Sequence, residues 1–101
     1  MIVEYIRYQV VPEQREALVA AYQQAAAQLD AAPECLRYEL SECEEEAGNF
    51  ILRIEWESTQ AHLQGFRPGP HFAAFFAAVR GFYASIQEMR HYRPTAVSRA
   101  S

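Results

Sequence analysis

Three histidines, His62, His71 and His91, are the side chains in this sequence best suited to giving or taking a proton near neutral pH. Two of them fall in residues 55–83, which also hold the single tryptophan, Trp56, and five of the six phenylalanines. An imidazole beside so much flat apolar surface suits acid–base chemistry on a small aromatic molecule. His71, which follows Pro70 at a helix start, is the catalytic candidate. Trp56 can stack on a flat ligand, and Tyr5 or Arg7 can hold a phenolate or carboxylate. His62, His91 and Arg53 complete the candidate binding set. A rival role exists for each: His71 can cap a helix, His62 can pack, and Trp56 belongs as readily to a core. No metal site is expected, because the histidines have no Cys, Asp or Glu partners at ligand spacings. Neither a phosphate-cradling glycine loop nor a Ser/His/Asp pattern stands out.

The elements that must position these residues follow from periodicity. Residues 2–11 are rich in β-branched and aromatic residues, with neither face purely polar, and predict a strand meeting protein or a pocket on both sides. Pro12 opens a helix in which Leu18, Tyr22, Ala25 and Leu29 form one apolar stripe, and Pro33 ends it at Ala32. Cys35–Ser41 alternates cleanly as a second strand. A polar turn with Gly48 leads to a third, Asn49–Glu57, so the two form a hairpin. Ser58 caps a short helix that ends near Phe66, and the Pro68-Gly69-Pro70 run breaks it. Phe72, Phe75, Phe76, Val79 and Phe82 then mark an amphipathic helix, read as core, that ends at about Gly81 or Tyr83. Residues 84–93 form the last strand.

The order is an α+β, ferredoxin-like βαββαβ, with helices on one face of an antiparallel four-stranded sheet. The domain is expected over residues 1–95, with 96–101 as a tail. The other sheet face, expected to be partly apolar, calls for a cover, and a homodimer packed sheet to sheet supplies one. A net charge of −4 gives no reason to expect nucleic acid or an anionic membrane as partner, and no apolar run is long enough to span a bilayer. A cytoplasmic location is the default. Cys35 and Cys43 stand at the two ends of a strand, too far apart to pair, and read as reduced thiols.

Trp56-Glu57-Ser58, followed by Pro70-His71-Phe72, resembles the antibiotic biosynthesis monooxygenase-like family of dimeric α+β barrel proteins. A pattern common there is W-E-S-x-x-A-L-x-x-H-L-x-x-P-H-F. Ala61 falls on its Ala and Phe66 on its second Leu. His62 stands at the first Leu, Gly65 at the inner His, and one extra residue precedes Pro70. The likeness runs from Ile2 to about Pro94. It implies the fold, the dimer and a pocket faced by Trp56. The strand pattern instead puts Trp56 under the helices with Leu52 and Ile54, leaving Arg53 and Glu55 to the barrel interior. A bulge or strand end at Glu55–Trp56 would reconcile the two.

Some members of that family are cofactor-free monooxygenases that convert phenolic or quinol-like compounds into quinones. Those of the naphthacenone type carry Asn where Leu52 stands here. Haem-degrading members carry an Asn on the first strand and a ligating His on the last helix, where Arg7 and Phe75 stand, so haem degradation is disfavoured. The resemblance implies oxidation of a small aromatic or quinol-like compound with no cofactor. A non-catalytic ligand-binding or stress-response dimer stays open as an alternative. So does an isomerase or aldolase-like enzyme on a sugar-derived carbonyl compound, with His71 moving a proton.

Overall fold

A computed structural model describes residues 1–99 of the chain. Four antiparallel strands, β1 (Ile2–Gln9), β2 (Cys35–Glu42), β3 (Asn49–Trp56) and β4 (Ile86–Tyr92), form one sheet in the order β2-β3-β1-β4. β1 ends earlier than its alternation predicts, because Val10 leaves the ladder and donates its N–H to the Gly48 carbonyl at 2.9 Å. That contact sits in the β2–β3 turn and requires glycine. Gly48 has φ +86°, and a Cβ there would lie 2.1 Å from the Val10 oxygen.

Helix α1 (Arg15–Ala31) follows a single 3-10 turn at Pro12–Gln14, so the helix proper starts three residues beyond the predicted proline. Its stripe is as the spacing predicts: Leu18, Tyr22, Ala25 and Leu29 are its buried residues. They pack on Phe50, Leu52 and Ile54 of β3 and on Ile6 and Tyr8 of β1. Each buried leucine contributes about 1.5–3 kcal/mol relative to an exposed one. Helix α2 (Phe72–Val79) is shorter than predicted and tightens into a 3-10 turn, Arg80–Ser85, before β4. Only Phe75 and Val79 of the aromatic stripe are fully buried, whereas Phe76 is 37% exposed. Adjacent helical positions point about 100° apart, so Phe75 and Phe76 cannot share one face. After β4 the chain continues through residue 99 without helix or strand, and residues 100 and 101 of the expected tail lie outside the described residues.

Both helices lie on one face of the sheet. The uncovered face is more polar than the mixed strand patterns predict. Arg53 pairs with Glu55 and donates to the Tyr5 hydroxyl at 3.4 Å, while Arg37 lies 3.9 Å from Glu55. Tyr5 packs edge-on against Tyr92 at 5.3 Å. Val3, which pairs with Glu55, is buried on that face, and Ile51 is exposed there. Cys35 and Cys43 are unpaired thiols. Among the described residues no helix is long and apolar enough to cross a membrane.

A carboxylate and two imidazoles beside Trp56

Glu4 lies near the middle of β1, in the register that sends Ile6 and Tyr8 under the helices. It is therefore an acid in a core position, 2% exposed. On one side its cross-strand partner is Ile54, and on the other it is His91 of β4. Trp56, at the end of β3, reaches back across the sheet and donates its indole N–H to Glu4 Oε1 at 3.1 Å.

The fourth member comes from the segment after Ser58. The Ser58 hydroxyl accepts the Ala61 N–H at 2.9 Å, the capping role predicted for it. Ala61–Phe66 then winds as a π-helix, seen in the 3.0 Å bond from the Arg67 N–H to the His62 carbonyl. Such wide turns are rare and frequently occur at functional sites. With more than four residues per turn, His62 and Phe66 face inward together, and they are the buried residues of the segment. The His62 ring stacks on Trp56 with centroids 4.4 Å apart and planes at 10°. Its Nδ1 lies 2.7 Å from His91 Nε2, a hydrogen bond, and its Nε2 lies 3.6 Å from Glu4 Oε1, a contact without one.

Burial sets the proton affinities. Glu4 is raised above its ordinary value by loss of hydration, against the Trp56 N–H bond and the charges of His91 and Arg67. Burial, with the nearby His91 and Arg67 charges, pushes His62 down to about 4. At neutral pH the His62 ring is therefore uncharged, and its contact with Glu4 is not an ion pair. Cys35 is pushed up to about 11, first by burial and then by Asp30, so its thiol is a poor nucleophile.

Glu4 and His62 form the polar end of a cavity of about 280 Å³ between sheet and helices, which Arg67 also lines and His91 does not. Trp56, Phe66, Phe72 and Phe75 supply much of its wall, and exposed Phe76 and Tyr83 stand at its lining. Tyr8 and Tyr22, whose hydroxyls bond to each other, also border it. Such a volume, aromatic walls and few polar groups suit one small flat ligand. One donor atom each from Glu4, His62 and His91 also lies within 4.8 Å of the others, a grouping of potential metal ligands among the described residues.

The fold thus brings Trp56, His62 and His91 together and leaves the other expected site residues elsewhere. His71 stands at the start of α2, where its Nδ1 lies 3.3 Å from Gln28 Oε1 on α1, and it is not part of the cavity lining. Tyr5, Arg7 and Arg53 belong to the uncovered face, as alternation along β1 and β3 dictates. Trp56 is at once under the helices and in the cavity wall, because the cavity lies on the helical side. Of the two expected alternatives the strand end is present, since β3 stops at Trp56, while the register shift at this point lies in β2, between Cys35 and Arg37. Sequence reasoning missed Glu4. Its signal was a charged residue in phase with Ile6 and Tyr8.

The family model described as antibiotic biosynthesis monooxygenase matches residues 1–78, which include Glu4, Trp56 and His62. The uncharacterized protein YczJ of Bacillus subtilis (strain 168) is 29% identical over 73 residues, covering 72% of this chain and 77% of that one. A solved structure from Bordetella bronchiseptica aligns with a TM-score of 0.76 at 22% identity, covering 93% of this chain and 96% of the other. A conserved protein of Methanosarcina mazei Go1 aligns with a TM-score of 0.75 at 18% identity, covering 93% and 92%. Rv0793 of Mycobacterium tuberculosis aligns with a TM-score of 0.67 at 22% identity, covering 99% and 98%. At these identities the structures speak for the fold, and the family match carries the assignment: the chain belongs to the antibiotic biosynthesis monooxygenase family.

Proposed function

We propose that this chain is a cofactor-independent monooxygenase that oxidises a small aromatic or quinol-like compound in the cavity beneath its helices. The observation that supports this most is Glu4, a carboxylate buried at one end of an aromatic-walled cavity and held by the Trp56 N–H. Of the groups bordering the cavity, it is the acceptor best placed for a substrate hydroxyl. The role first expected of His71 passes to it, with His62 as its neighbour.

In this reading a phenolic substrate lies against Trp56 and Phe66 and gives its hydroxyl proton to Glu4. The phenolate is electron-rich and reduces dioxygen directly. A new C–O bond forms at the ring, the O–O bond breaks, one oxygen leaves as water, and the ring is left as a quinone. Substrate supplies the electrons and dioxygen takes them, so the balance closes without a flavin or a metal.

The working unit in this proposal is a homodimer in the cytoplasm. The uncovered sheet face supports the pairing with alternating Arg and Glu and with Tyr5, Ile51 and Tyr92. The unpaired thiols fit a reducing compartment. Light scattering that returned a monomer near the 11.6 kDa chain mass would remove the dimer.

Oxygen uptake by the purified protein with a panel of phenols and quinols tests the reaction. The expected result is turnover that falls about a hundredfold or more in Glu4→Gln, while His71→Ala stays near the parent. Ligand-induced thermal stabilisation without oxygen uptake would overturn the enzyme and leave a binding protein.

A further inference from the structure

We infer that Glu4, His62 and His91 form a binding site for one divalent transition-metal ion at the polar end of the cavity. One donor atom from each lies within 4.8 Å of the donors of the other two. Ligands ~2.1 Å from an ion stand roughly 3–4.2 Å from one another, so the farthest pair needs to close by less than an ångström. The nearest pair, His62 Nδ1 and His91 Nε2 at 2.7 Å, opens slightly as the ion replaces the proton they share.

The set is assembled by three separate elements, which is why no local spacing in the chain marks it. Glu4 and His91 face each other across neighbouring antiparallel strands, which holds their Cβ atoms about 5 Å apart. His62 enters from the π-helical turn above them. Outer contacts resemble those that metal ligands need. A ligating carboxylate is normally hydrogen-bonded and a ligating imidazole normally held in orientation. Trp56 does both, through its N–H on Glu4 and its ring stacked on His62.

Donor chemistry selects the ion. Two imidazoles and one carboxylate suit zinc, cobalt or ferrous iron, whereas calcium and magnesium prefer oxygen donors throughout. Three protein ligands leave coordination positions free, and Glu4 and His62 both border the cavity, so these positions adjoin ligand space. The site goes beyond the proposed reaction and opposes it. An ion on the Glu4 carboxylate neutralises its charge and so weakens it as acceptor of the substrate proton.

The test is titration of chelator-treated full-length protein with zinc by calorimetry and with cobalt by visible absorption, without substrate. One ion per chain is expected, with the visible bands of cobalt bound to nitrogen. His91→Ala is the decisive variant, because His91 is half-buried on the edge strand β4 and its loss leaves the core intact. Affinity should fall at least tenfold in His91→Ala and in Glu4→Gln and stay unchanged in His71→Ala. Absence of binding, or equal binding by parent and His91→Ala, overturns the site. Zinc binding without oxygen uptake on any phenol would leave this site standing and remove the proposed reaction, and uptake without zinc binding would do the reverse.

Discussion

Two buried carboxylates sit on the two central strands and face opposite sides of the sheet, and their surroundings differ in kind. Glu55, on the uncovered face, is gripped by the guanidinium of Arg53 with Arg37 nearby. Glu4, under the helices, has one neutral N–H donor and an uncharged imidazole in contact, with the charges of His91 and Arg67 acting on it only through space. A carboxylate paired with arginine is satisfied and stays inert. One whose lost hydration outweighs its hydrogen bond and the more distant charges keeps a high affinity for a proton or a cation. Residue type alone does not separate a structural acid from a reactive one. The partners do.

Trp56→Ala is the hardest blow to the covered side. Trp56 is 1% exposed and belongs to the main core cluster. Its truncation should cost about 3–5 kcal/mol through the cavity it leaves, and Glu4 also loses its N–H donor. Trp56→Phe keeps a smaller aromatic ring against His62 and should cost clearly less. Denaturant midpoints measure both. Equal losses in the two variants would mean that the N–H on Glu4, not the packed ring, is what the core depends on.

On the uncovered side the matching change is Glu55→Gln. It strands Arg53 without its anion and should lower stability by about 2 kcal/mol, less at high salt because the Arg53 side chain is 30% exposed. Cavity ligand binding and oxygen uptake should not move. If uptake fell as far in Glu55→Gln as in Glu4→Gln, the division of labour between the faces would be gone.

How much of this was legible in the chain depends on the range of the signal. The α1 stripe of Leu18, Tyr22, Ala25 and Leu29 is a local period, and it survived intact in the fold. The hairpin followed from alternation and the Gly48 turn in the same way. Trp56 was legible twice, by pattern and by resemblance, and the two readings meet at the cavity on the helical side of the sheet, which Trp56 lines. His71 drew attention because the Pro70-His71-Phe72 motif is local, yet its ring turns to Gln28. Glu4 and His91 meet through strand pairing across 87 positions of sequence, which no spacing rule can report. The π-turn that aims His62 inward has no distinctive residue signature either. What remained hidden was therefore the contact between elements, and the site consists of such contacts.

The smallest effect tests the electrostatics of the covered side alone. His62 holds its proton only below about 4 in the folded chain, against about 6.5 when unfolded. A depressed value means that the unfolded chain binds more protons through this window, so stability present above about pH 6.5 is lost as pH falls toward 4. Glu4 works in the opposite direction. Its raised value lets the folded chain take up a proton earlier than the unfolded one, so acidification through that range favours the fold. Trp56 contributes no charge, while Arg67 and His91 press on both groups, resisting protonation of His62 and drawing Glu4 toward ionisation. The two slopes oppose each other, so the profile of the parent chain is shallower than His62 alone would give. Removing one group at a time separates them: His62→Gln should flatten or invert the profile, and Glu4→Gln should steepen it. Chemical denaturation across this pH range reads both signs. Parallel profiles for parent and both variants would show that neither group is held away from its ordinary proton affinity, and with that the contrast between Glu4 and Glu55 would lose its electrostatic basis.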